Sequence, residues 1–281
     1  MFARNLIVWH LKCKEKESPL NSILRSTLWL GFFGIILVSW WWLYVMAMDM
    51  DVDLLGRPGE MGARMAAMDP RMPMYMPMAN FGPLFWMWAV MMAAMMLPTM
   101  VPTLRSYEDL MVSAAGTRAG WLGVLSGYLL AWIVFAAVIS GVQLALLFGG
   151  VVDMLGIGKS YWFTGALLIA VGAFQFTRTK EICHGVCHSP TMYFVGNWRK
   201  GFVGGVRMGL GLGSFCVGCC WGFMALGFAG GVMNLAWMGL ATLFMVIEKL
   251  PQVGHYVTRP MGFVLIIAGV AVLGWPFVMG G

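Results

Sequence analysis

Charge is scarce in this chain. Only 11% of its 281 residues are Asp, Glu, Lys or Arg, 60% are hydrophobic, and the mean hydropathy is +0.80. Soluble domains carry roughly 25% charged residues, so this chain lacks the polar surface needed to stay in water. The shortage excludes a cytosolic enzyme, a nucleic-acid-binding module and a disordered regulator. Cysteine is also scarce, six residues in all, too few for a disulfide scaffold. There is no phosphate loop, Ser-His-Asp set, H-E-x-x-H zinc motif or paired-carboxylate constellation. Nothing here requires the protein to be an enzyme. What abounds is methionine, 27 residues, and that excess sets the functional question.

A helix needs about 20 apolar residues to cross a bilayer core of ~30 Å. Seven segments qualify: 27–47, 82–100, 121–149, 160–177, 202–227, 232–249 and 260–279. The expected fold is therefore all-α, a polytopic membrane bundle of about seven helices. A basic tail at 1–26 (Arg4, Lys12, Lys14, Lys16, Arg25) leads into one transmembrane domain at 27–281, with no long repeat. With the N-terminus inside, fourteen of the 18 Lys and Arg fall on the inner side, while the acidic residues split evenly. That asymmetry follows the positive-inside rule and puts the C-terminus outside. Trp40, Trp41, Trp42 and Tyr44 fit an aromatic belt at the outer boundary.

The largest extramembrane segment is the outer loop at about 48–81. It holds two Met-x-Met runs, Met46, Met48, Met50 and Met72, Met74, Met76, Met78, with Asp49, Asp51, Asp53 and Asp69 among them. Prolines at 58, 70, 73, 77 and 83 argue against regular helix here. A thioether is a soft, neutral donor suited to Cu(I), and a proline-rich loop has little core for methionine to fill. The next helix continues the pattern with Met87, Met91 and Met95 on one stripe and Met92 and Met96 on its neighbour. Methionine there could line a path or simply pack between helices.

The cysteines are clustered. Cys216, Cys219 and Cys220 share one helical face and offer a soft Cu(I) or zinc site, or a redox pair. Counted from the inner end of its helix, this cluster falls toward the outer half, within reach of the methionine loop. Cys183, His184, Cys187 and His188 form a second set at the inner end of the fourth helix. Thiolate and imidazole are sound ligands for a transition metal. Covalent haem is not expected: three residues separate the cysteines instead of two, and the side is wrong. His10 and His255 stand alone. Glu248 and Lys249, apolar-flanked, need ion partners such as Arg207. The glycines around the cysteine helix allow either close helix approach or a broken helix.

Three further stretches carry a resemblance: Met87-Trp-Ala-Val-Met-Met-Ala-Ala-Met-Met-Leu-Pro98; Phe174-Gln175 through Cys183 and Cys187-x-Ser-Pro190; and Gly218-Cys-Cys-Trp221 with Gly231-Val-Met-Asn234-Leu-Ala-Trp-Met238 and Glu248-Lys249. Together they resemble an uncharacterised bacterial family of predicted metal-binding integral membrane proteins, over most of the chain from the second helix to the sixth. The resemblance implies a multi-pass protein of the bacterial inner membrane that binds metal, without supplying an activity. The reading is a Cu(I)-handling protein of the lipid bilayer, with zinc or silver as alternative ions. It would transport copper, or deliver it to a membrane copper enzyme. Two other readings stay open: an accessory subunit of a larger membrane complex or homo-oligomer, and a thiol-redox enzyme using Cys219 or Cys220.

Overall fold

A computed structural model describes residues 19–69, 77–111, 113–250 and 254–279. Among these the chain is helical, with two isolated bridges in place of strands. In chain order the helices of seven residues or more are α1 (Pro19–Asp49), α2 (Glu60–Ala66), α3 (Phe81–Met96), α4 (Val101–Met111), α5 (Arg118–Phe148), α6 (Tyr161–Phe174), α7 (Arg178–His188), α8 (Pro190–Asn197), α9 (Gly201–Ala225), α10 (Leu235–Glu248) and α11 (Gly254–Met279). A single 3₁₀ turn at Pro98–Met100 joins α3 to α4.

Each of the seven expected segments is a helix, but they are not equal. Among the described residues five stretches are long and apolar enough to cross a membrane: Ser22–Asp49, Phe81–Met111, Arg118–Phe148, Gly201–Gly230 and Tyr256–Trp275. The other two, α6 and α10, have 14 residues each, or about 21 Å at 1.5 Å per residue. They stop where polar side chains begin, at Gln175 and at Glu248. The apolar runs read as full spans extend into those polar ends. Helix α1 also begins earlier than expected, at Pro19.

Along the chain three long helices are each succeeded by a shorter one, giving three sequential pairs: α1 and α3 (with α2 between them), α5 and α6, and α9 and α10. The first two pairs turn with the same local sequence, Val52-Asp-Leu-Leu-Gly56 and Val152-Asp-Met-Leu-Gly156. In each, the Asp side chain accepts two backbone N–H groups, from Leu55 and Arg57 or from Leu155 and Ile157. Gly56 and Gly156 take φ +76° and +74°, a left-handed conformation that glycine adopts without steric cost. The third connection interlocks with them: Ala236 N–H bonds to the Leu54 carbonyl, and Gly158 N–H to the Phe228 carbonyl. The sequence reading missed this repeat because only five residues carry it.

Helix α9 is continuous, so the glycines serve close approach. A Cβ at Gly205 would strike the Gly120 carbonyl, one at Gly209 the Val124 carbonyl, and one at Gly127 the Val206 carbonyl. Thus α5 and α9 touch backbone to backbone. The same device joins α6 to α11, where Gly172 meets the Gly262 carbonyl and Gly269 the Gly165 carbonyl. Small residues let helices approach in this way and strengthen dispersion contacts.

The outer segment departs from expectation at one point. Between Pro58 and Pro70 the chain forms α2, with Glu60 in its first turn and Arg64 in its last, each favourable to the helix dipole. A seven-residue stretch without proline was enough. Met50 and Met78 are buried, Met46 is half-buried and Met48 is exposed; Met72, Met74 and Met76 lie outside the described residues.

Candidate metal centre

Helix α7 and the residues that end α3 and α10 converge on α9. Cys216, Cys219 and Cys220 lie on the buried face of that helix, each about 1% exposed. Helix α7, capped at its start by the Thr177 hydroxyl, brings in Cys187. Its sulfur lies 3.9 Å from Cys219 Sγ, and the sulfurs of Cys187, Cys216 and Cys219 all fall within 4.8 Å of one another. Cys220 Sγ is 3.2 Å from Cys219 Sγ. The two cysteine clusters therefore meet in one place.

That meeting changes where the site sits. The expected neighbour of the α9 cysteines was the outer methionine loop. Instead they stand beside Lys249 and Lys180, at the ends of the chain's short helices. Helix length explains the difference, because α10 stops after 14 residues and its polar end is level with the middle of α9.

The second expected set is divided by the fold. Cys187 joins the sulfurs, whereas Cys183 packs with its Sγ 3.0 Å from where a Gly218 Cβ would be. His184 and His188 turn their Nε2 atoms to one acceptor, the Glu248 carbonyl, at 3.0 and 2.6 Å. Both rings therefore donate from Nε2. Burial, opposed by the Glu248 carboxylate, pushes His184 down to about 4, so its ring is neutral at pH 7. The pair is engaged in fixing the end of α10 to α7.

Lys249, Thr99, Tyr128 and Lys180, which sequence reasoning did not assign to the site, surround the sulfurs, with Glu248 and Thr258 next to them. Lys249 Nζ donates to Cys216 Sγ at 2.9 Å and to Thr99 Oγ1 at 2.8 Å. The Tyr128 hydroxyl is 3.1 Å from Cys216 Sγ and 3.2 Å from Thr99 Oγ1. Lys180 Nζ donates to the Cys219 carbonyl at 2.8 Å and pairs with Glu248 Oε1 at 2.9 Å. The Thr258 hydroxyl also donates to Glu248 Oε1. Glu248 thus pairs with Lys180 and Lys249 with a thiol, while Arg207 is exposed on another face. The cost of burying ions pointed to partners for Glu248 and Lys249. Lys180 gave no such signal, since it sits in the polar run Arg-Thr-Lys-Glu.

The methionines of α3 lead to the same place. Met87, Met91, Met92, Met95 and Met96 are all buried, and the Met96 carbonyl accepts from the Thr99 and Tyr128 hydroxyls. A void about the size of one water lies between Met91, Met95, Met224 and Met238.

Chemically, three sulfurs this close suit a soft ion in trigonal coordination. Thiolates carry charge, and the ammonium of Lys249 supplies an opposing charge inside the bundle. No match was found among curated proteins or solved structures. A family profile described as copper chaperone does match, over residues 85–272. That range takes in the α3 methionines, all the sulfurs of the cluster and both lysines. Since it covers more than half of the sequence, the chain belongs to the copper chaperone family PpoB2.

Proposed function

We propose that this protein is a chaperone of the bacterial inner membrane that holds Cu(I) on Cys187, Cys216 and Cys219 and passes it to a membrane copper enzyme. The observation that carries the reading is the approach of those three sulfurs to within 4.8 Å of one another beside Lys249. Copper is cargo here. It enters and leaves by exchange of sulfur ligands, with no change of oxidation state. Five apolar helices support the membrane setting, and the excess of Lys and Arg on one side supports an N-terminus facing the cytoplasm.

The test is Cu(I) stoichiometry of the protein purified anaerobically in detergent, beside Cys216→Ser/Cys219→Ser. Serine keeps the shape and loses the soft donor. The wild type is expected to hold about one tight Cu(I), and the double variant to lose at least a hundredfold in affinity while remaining folded. Equal copper in both proteins would sink the sulfur site. Zinc bound in preference to Cu(I) would change the cargo.

The α3 methionines enter this reading as soft donors along the approach to the centre. Replacing Met87, Met91 and Met95 together by Leu keeps much of the packing and removes three thioethers. Copper affinity at equilibrium is expected to stay within threefold, while loading from the outer face of reconstituted vesicles slows about tenfold. Unchanged loading would assign those residues to packing alone.

A further inference from the structure

Beside the sulfur cluster lies a cavity of about 310 Å³, lined in part by Gln175, Phe176, Lys180, Glu181, His184 and Arg259. It meets the Glu248 side of the centre through Lys180, His184 and Thr258. Lys180 lines the cavity, and its Nζ also bonds to the Cys219 carbonyl and to Glu248. The cavity is at the basic end of the bundle, where α7 begins and where Lys180 and Arg259 both line it.

Its lining has an unmet requirement. Gln175 is 5% exposed, and among the described residues neither its amide oxygen nor its amide nitrogen has a hydrogen-bond partner. Buried polar atoms are nearly always paired, and leaving one unpaired costs about 1–3 kcal/mol. An amide offers both a donor and an acceptor. Arg259 adds a cationic fork that fits a carboxylate, and Glu181 adds an anion that fits an ammonium. Phe176 and Phe263, whose rings meet edge to face at 4.9 Å, provide an apolar wall. This combination is complementary to an α-amino-acid group, which is cationic at one point and anionic at another.

We infer that the cavity binds a low-molecular-weight thiol bearing an α-amino-acid group, and that such a thiol brings Cu(I) to, or takes it from, the sulfur cluster. The inference rests on the copper-binding reading of that cluster and adds its exchange partner. The reducing cytosol, on the basic side under the charge rule, is where such thiols are kept reduced. In the exchange a Cu–S bond to the carrier breaks and a Cu–S bond to a protein cysteine forms. The proton of that cysteine passes to the departing carrier thiolate, and no electron moves.

The test uses the full chain in detergent and S-methylglutathione, which has the amino-acid group but no thiol. Wild type is expected to bind it, and Arg259→Ala and Gln175→Leu to bind it at least tenfold more weakly. In both variants Cu(I) affinity measured by chelator competition should be unchanged. Loading from a Cu(I)–glutathione complex should slow about tenfold, while loading from a Cu(I) chelate without an amino-acid group should not. No binding of S-methylglutathione to wild type, or equal loading of wild type and both variants from Cu(I)–glutathione, would overturn the inference. Those outcomes leave the copper stoichiometry intact, so they are distinct from failure of the sulfur site itself.

Discussion

Replacing Lys180 by Met is expected to lower the free energy of unfolding by about 3–5 kcal/mol. The two partners of this ion pair are each 1% exposed, with 2.9 Å between Lys180 Nζ and Glu248 Oε1. Removing the ammonium leaves a buried carboxylate facing the Thr258 hydroxyl and, at 4.0 Å, the neutral His184 ring, and it also frees the Cys219 carbonyl from its donor. Most of the loss is the cost of the abandoned charge. The double variant Lys180→Met/Glu248→Leu is therefore expected to recover most of it, because replacing both ions by apolar groups is often neutral. Denaturant titration in detergent micelles gives all three values. A single variant as stable as wild type would show that water or another cation reaches Glu248.

The second large effect is expected at the contact of α5 with α9. A Cβ at Gly209 runs into the Val124 carbonyl, and a backbone atom cannot rotate away as a side chain can. Overpacking of this kind costs typically about 1–3 kcal/mol. Here it should also disturb the sulfur cluster proposed to hold Cu(I), since Tyr128 follows Gly127 on α5 and holds its hydroxyl 3.1 Å from Cys216. Gly209→Ala should accordingly lower both Tm and Cu(I) affinity. The control is Gly141→Ala, on an exposed face of α5 with nothing within 4 Å of the added methyl. It should be neutral or slightly stabilising, as alanine is the better helix former. Equal behaviour of the two variants would mean that α5 and α9 separate easily.

The sequence carried the helices well, because length and hydropathy dominate when nearly everything is apolar. It did not carry their inequality. Leu235–Glu248 reads as part of a span because Gly231-Val-Met precedes it and Leu250 follows Lys249, whereas the helix itself has only 14 residues and ends at Glu248. The cysteines of α9 were visible as a local spacing, whereas their meeting with Cys187 is a contact across 29 positions or more, which spacing cannot express. The histidines show the converse. Their neighbourhood to Cys183 and Cys187 suggested coordination, but the same spacing turns His184 and His188 together toward a helix-end carbonyl. Tyr128 and Thr99 were silent, since one hydroxyl in an apolar helix is unremarkable until a lysine points at it.

The short helix α10 has a further consequence. It is held at its start by the Asn234 side chain, which accepts from Trp237 N–H, and by the bond from Ala236 N–H to Leu54. At its other end Lys249 must meet Cys216. One residue inserted between these points would turn the end by about 100° and advance it 1.5 Å, carrying the ammonium off the sulfur. A whole extra turn would restore the direction but displace it by about 5.4 Å. The count of peptide units in α10 is thus as much a specification of the centre as the identity of its lysine, and the chain can vary in length far more safely outside this helix than within it.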